Sequence, residues 1–193
     1  MLLNLKIKIQ IKITMFLKIV IFGPLDAGKT TFAEAISGNK LLLKGEHKTI
    51  TTSFDLVQLK YNGYMIQLYA TPGHRRFSFM WSSLARGMKG AVLIIDSTVG
   101  ITQVDRDLLE FINKFKVPYI IAANKNDLIH LPEEIIKEKL ELPFDIPIIH
   151  TSAILNENLE IVLKTLVEQI KDNERKKIMG GYIWPINMIL KKY

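Results

Sequence analysis

Cysteine is absent from the 193 residues. Its absence excludes disulfides, thiolate metal sites and cysteine-linked lipids. Long apolar runs are missing too. The N-terminal stretch Leu5-Lys6-Ile7-Lys8-Ile9-Gln10-Ile11-Lys12-Ile13 is apolar only at alternate positions. Its lysines rule it out as a secretory core or a membrane span. Residue 2 is Leu, which excludes an N-myristoylation signal, and the C-terminus carries no prenylation box. Basic charge is also lacking where a nucleic-acid-binding fold would need it. Of the net charge of +7, Lys6, Lys8 and Lys12 supply three. Residues 171–193 supply four more, from Lys171, Arg175, Lys176, Lys177, Lys191 and Lys192 against Asp172 and Glu174. Residues 15–170 are neutral. A nucleic-acid-binding domain shows a basic face on the fold itself, so nucleic acid is not an expected partner. The length suits one domain with a substantial core.

What is present starts at Met15. Phe16-Leu17-Lys18-Ile19-Val20-Ile21-Phe22 reads as a buried parallel strand. It runs into Gly23-Pro24-Leu25-Asp26-Ala27-Gly28-Lys29-Thr30, a G-x-x-x-x-G-K-T loop. A helix start follows from Thr31 to Ser37 and stops at Gly38. Strand, glycine loop and helix together make a phosphate site. The loop turns consecutive N–H groups and the helix N-terminus toward an anion. In that arrangement Gly23, Asp26, Ala27, Gly28, Lys29, Thr30 and Thr31 surround the phosphates. Lys29 reaches the β- and γ-phosphates, and the Thr30 hydroxyl sits on Mg²⁺.

Strands and helices then alternate. Val57–Tyr61 and Tyr64–Tyr69 are strands joined by Asn62-Gly63, a strong hairpin signal. Ala91–Asp96, Tyr119–Ala123 and Ile146–His150 are further strands, and Val104–Phe115, Pro132–Leu140 and Asn156–Ile170 are helices. The expectation is an α/β fold of the P-loop NTPase type. Its sheet is six-stranded and mostly parallel, with one antiparallel edge strand and helices on both faces. The domain runs over 15–172, between an alternating extension at 1–14 and a basic, aromatic extension at 173–193. The first extension reads as an added edge strand, a partner-binding strand, or a segment upstream of a functional start at Met15. The second is open to contact with an anionic membrane, contact with a partner, packing on the domain, or disorder.

Three later segments define the nucleotide. Asn124-Lys125-Asn126-Asp127 follows a buried strand. Asp127 can accept two hydrogen bonds from guanine N1–H and its exocyclic amine, a donor pair that adenine lacks. Lys125 lies along the base plane in this reading, and Asn124 ties the loop to the phosphate loop. Thr151-Ser152-Ala153 adds Ser152 and an Ala153 N–H aimed at guanine O6. Ala70-Thr71-Pro72-Gly73-His74 places the Gly73 N–H at the γ-phosphate and His74 beside the attacking water.

This set resembles the Ras-like small GTPases over residues 15 to about 172. It looks nearest to their Arf/Rab side and to the Mgl-type motility GTPases and archaeal relatives. Gly23–Thr31, Thr71-Pro72-Gly73, Phe79-Met80-Trp81 and Gly90–Ser97 carry the likeness. Phe54-Asp55 resembles the segment after the first switch, which points to Thr51 as a second Mg²⁺ and γ-phosphate ligand, with Thr49 and Thr52 as neighbours. The likeness implies switches at 39–52 and 71–88, ordered by triphosphate. It implies GTP, GDP and Mg²⁺ as ligands. It also implies exchange factors, activating proteins and an effector as partners, and a cytoplasmic site with peripheral, non-covalent membrane contact through the termini. Three departures stand out. Most relatives carry Asp at Ala70, where it holds Mg²⁺ through water. His74 replaces a glutamine. Leu25 replaces a smaller residue near the γ-phosphate. Together they predict slow hydrolysis by Lys29, Gly73 and His74 that needs an activator. Arg75 and Arg76 read as solvated switch surface. Asp96 ends a strand as the Mg²⁺-supporting Asp does in many P-loop ATPases. The competing readings are a GTP-dependent scaffold with negligible hydrolysis and a P-loop ATPase.

Overall fold

Alternation along each strand decides which face of the sheet a residue covers. In Met15–Phe22 (β1), Leu17, Ile19 and Ile21 join one buried cluster, and Val20 and Phe22 join another. A strand apolar at both parities is buried on both faces. Every residue of Gly90–Asp96 (β5) and Tyr119–Asn124 (β6) is likewise buried. The computed structural model describes residues 15–38, 41–43 and 54–189. Residues 1–14 and the three candidate threonines Thr49, Thr51 and Thr52 lie outside them.

The remaining strands are Leu41–Leu43 (β2), Asp55–Tyr61 (β3), Tyr64–Ala70 (β4) and Ile148–His150 (β7). The sheet is seven-stranded, in the order β2-β3-β4-β1-β5-β6-β7. The six expected strands are there, and the short β2 adds a seventh at the edge. β3 pairs antiparallel with both β2 and β4, and all other ladders are parallel. One strand therefore runs against the rest, and β2 makes it the second from the edge.

Helices Lys29–Ile36 (α1) and Leu159–Ile189 (α5) cover one face through Phe32, Ala33, Val162, Leu166 and Ile170. Ser78–Ala85 (α2), Gln103–Asn113 (α3) and Glu133–Leu140 (α4) cover the other through Trp81, Leu108, Ile112 and Ile136. Two differences from the sequence reading have physical causes. α5 runs on to Ile189 rather than ending at Ile170. Ile170, 1% exposed, is the last buried residue up to Lys177; the lysines, arginine and glutamate of 171–177 are good helix formers. Apolar period reports burial, not helix length. Within 71–88, expected as a switch loop, a 3₁₀ turn spans Arg75–Phe77 and α2 follows it. Trp81, Leu84 and Ala85 form its buried stripe.

Candidate functional site

Parallel strands bring the loops after β1, β4, β5, β6 and β7 to one edge of the sheet. Ligands bind at that edge in doubly wound folds. β3 runs the other way, so its first residue, Asp55, reaches the same edge, paired with Ala70 at the end of β4.

The phosphate loop links β1 to α1. Gly28 caps α1 with φ 92°, a backbone state that side chains rarely adopt, and a Cβ there would strike the Asn124 amide. Lys29 opens the helix and is 7% exposed. Its Nζ donates to the Pro24 carbonyl at 2.5 Å. Burial lowers its pKa to about 8, against the opposing pull of Asp26, Asp55 and Asp105. A cavity of about 240 Å³ opens beside it, lined by Asp26, Gly28, Thr30, Thr31, Gly73 and His74 among others. An anion placed there restores the lysine's full charge. Gly73 approaches so closely that a Cβ would stand 2.6 Å from Lys29 Nζ and 2.7 Å from the Leu25 nitrogen. The loop after β4 is thus pressed onto the phosphate loop. Half-buried His74 is next to it, and Leu25, 52% exposed, stands at the rim. Arg76 is exposed and stacks on Phe77 at 4.8 Å, as solvated surface does.

Thr30 Oγ1 donates to Asp55 Oδ2 at 2.5 Å. The donated proton leaves the hydroxyl's lone pairs for a cation. Among the described residues no group of three His, Cys, Asp or Glu forms a metal cage. Mg²⁺ takes most of its ligands from phosphates and water at nucleotide sites. The Thr30 hydroxyl, its proton turned to Asp55, is the side-chain oxygen that would hold such an ion. Mg²⁺ bound there neutralises phosphate charge.

On the base side, Asn124 is 2% exposed and joins three loops. Its Nδ2 donates to the Ala27 carbonyl at 2.9 Å. Its Oδ1 accepts from the Ala153 N–H at 3.0 Å and the Thr151 hydroxyl at 3.3 Å. The Ala153 N–H expected at guanine O6 is therefore held inside the protein here. Ser152 is fully buried and its Oγ accepts from the Leu155 N–H at 3.2 Å. It shapes the loop and presents no side chain to a ligand. Asp127 is exposed on the turn after β6. Lys125, half-buried, pairs with Asp96 Oδ2 at 2.5 Å. Burial pushes the Asp96 carboxyl upward, but Lys125 and Thr98 outweigh it and hold the pKa below the usual range. Asp96 is thus tied to the N-K-x-D loop through Lys125. A second cavity of about 400 Å³ lies between α1 and the 153–156 loop and shares Thr31 with the first.

Sequence reasoning missed two partnerships, Thr30 with Asp55 and Asp96 with Lys125. Only the strand register that places Asp55 was latent in the hairpin, not its contact with Thr30. Counting outward from Asn62-Gly63 pairs Tyr61 with Tyr64 and, six steps later, Asp55 with Ala70.

A phosphate loop, a buried lysine and an N-K-x-D loop tied together by Asn124 define a P-loop GTPase domain. More narrowly, the chain belongs to the elongation factor Tu GTP binding domain family, which matches residues 40–172. An uncharacterized protein of Methanocaldococcus jannaschii is 35% identical over 111 residues, covering 58% of this chain and 71% of that one. GTPase Der of Lawsonia intracellularis is 30% identical over 86% of this chain and 40% of its own length. Translation initiation factor IF-2 of Oceanobacillus iheyensis is 30% identical, over 86% of this chain and 26% of its own. This chain thus spans well under half of the Der and IF-2 relatives. Among solved structures, bacterial selenocysteine-specific elongation factor EF-Sec superposes with a TM-score of 0.68 at 20% identity, over 83% of this chain and 29% of that one. The Arl6 small GTPase of Trypanosoma brucei gives 0.63 at 17% identity, over 82% and 99%. The Ras-like likeness widens accordingly: the sequence relatives named here are an uncharacterized archaeal protein, GTPase Der and translation initiation factor IF-2, and the fold is shared with EF-Sec and Arl6. No helix among the described residues is long and apolar enough to cross a membrane.

Proposed function

We propose that this chain is a guanine-nucleotide switch that binds GTP and GDP with Mg²⁺ and hydrolyses GTP slowly, with an activator's help. The Asn124 clamp is the observation that carries this reading. It fastens the N-K-x-D loop to the phosphate loop, which supports one ligand that spans both. In this reading Lys29 binds the phosphates, and Gly73 and His74 stand where the γ-phosphate and its attacking water belong. Residues 39–52 and 71–88 respond to the triphosphate and face the exchange factor, the activating protein and the effector. The termini supply any contact with a membrane surface. The relatives' names support a place beside the translation machinery over a Ras-like signalling role. Isothermal titration tests the nucleotide. GDP binds at micromolar affinity or tighter, ADP does not bind, and Asp127→Asn shifts preference toward xanthine nucleotides. Tight ADP binding would return the chain to the ATPase reading.

Leu25 at the rim and Gly73 against the loop also support a scaffold that binds GTP and scarcely turns it over. Single-turnover hydrolysis with and without candidate activating proteins separates the two. Phosphate released in neither condition favours the scaffold.

A further inference from the structure

Ala70 ends β4 as a buried apolar residue, 2% exposed, in the core cluster under α1 and α5. Its partner across the β3–β4 ladder is Asp55. Asp55 is 4% exposed, a state that carboxylates rarely occupy without a cation to answer their charge. Its carboxylate accepts from the neutral hydroxyl of Thr30, at 2.5 Å. Both residues line the cavity that Lys29 enters, and the negative charge of Asp55 acts on Lys29. A hydroxyl alone compensates a buried carboxylate poorly. Lys29 is a partial answer, since a phosphate anion claims its charge once nucleotide binds.

We propose that Asp55 supports the nucleotide's Mg²⁺, holding it through Thr30 and an intervening water. The carboxylate that position 70 lacks is supplied from the neighbouring strand. Directly paired residues project to the same face of a sheet, with Cβ atoms ~5 Å apart. A carboxylate at position 55 therefore reaches the volume that one at position 70 would reach. Because β3 runs against the rest of the sheet, its first residue falls beside the phosphate loop. Thr30 is the hinge of the arrangement. It gives its proton to Asp55 and keeps its lone pairs for the ion. The proposal rests on the reading of this site as a guanine-nucleotide site.

The test compares GDP dissociation in excess Mg²⁺ with that in excess EDTA, using a fluorescent GDP and the full chain. Wild-type protein releases GDP more slowly in Mg²⁺. Asp55→Asn loses about 10- to 100-fold of that Mg²⁺ effect, as loss of an outer ligand does, while its EDTA rate stays near that of the wild type. Asp55→Asn combined with Ala70→Asp returns a carboxylate to the same face and recovers the Mg²⁺ effect. If Asp55→Asn does not fold, the double variant alone decides the matter. Folded without an Mg²⁺ effect, it overturns the proposal. An undiminished Mg²⁺ effect in Asp55→Asn overturns it as well and leaves the nucleotide reading standing. Failure of the wild type to bind GDP in either condition overturns the nucleotide reading and the proposal together.

Discussion

Lys29 holds an ammonium in a place where charge is disfavoured. Burial lowers its pKa to about 8 from 10.5, despite three nearby carboxylates. Between those two values the unfolded chain keeps a proton that the folded chain has released. Stability of the unliganded protein therefore rises with pH across that window, on account of this group. Phosphate binding reverses the bias and restores the proton. GDP binding near pH 8.5 should take up part of a proton, and uptake should vanish below about pH 7, where Lys29 is already charged. Calorimetric binding enthalpies in buffers of different ionisation enthalpy measure it. Buffer-independent enthalpies at pH 8.5 would show that Lys29 is not the titrating group. Most residues around this lysine were legible from eight letters of sequence, because G-x-x-x-x-G-K-T fixes a local backbone path. The Lys29 pKa was not legible. It depends first on burial and then on the opposing pull of Asp55 and Asp105, which only the fold supplies.

At the scale of elements, the start of α3 shows how local chemistry fixes an end. The Asp105 carboxylate accepts the Thr102 backbone N–H at 2.8 Å and its hydroxyl at 2.5 Å. Burial raises the Asp105 pKa above the usual carboxylate value, in spite of those two bonds. Asp105→Ala removes a helix-terminal partner and should cost on the order of 1 kcal/mol. The loss is partly offset by taking away a buried carboxylate. A shift in urea midpoint at unchanged slope is the measurement. Strands β1, β4, β5 and β6 were readable within a residue or two, because burial, continuous in β5 and β6 and alternating in β4, leaves an apolar signature. α2 was not recognised as a helix, because one buried stripe of three residues lay inside a stretch read as a switch. β2 escaped because three residues are too few to show a period, and the end of α5 because the sequence reading closed the helix at its last buried position, Ile170.

Across the whole molecule, the two buried clusters lie on opposite faces of one sheet, and the site sits on its edge. Asn124 is where the distant parts meet, accepting from residue 153 and donating to residue 27. Asn124→Ala leaves the Ala27 carbonyl and the Ala153 N–H unpaired. At about 1–3 kcal/mol for each of these two stranded groups, the unliganded protein should lose roughly 2–6 kcal/mol. Chemical denaturation without nucleotide reads this directly. An unchanged midpoint would mean the three loops hold together by other means.

The sequence by itself determined the strand-loop-helix unit, the class of ligand and the order of strands along the chain. Each of these rests on residues adjacent in the chain. Only the tertiary structure decided which carboxylate meets Thr30, which one holds Lys125, and that Ala153 and Ser152 serve the loop itself. These partnerships join residues on different strands. Strand direction and register set them, and composition carries no record of either. The one long-range pair that could be counted from sequence, Asp55 with Ala70, lies on a hairpin whose tight turn fixes its register.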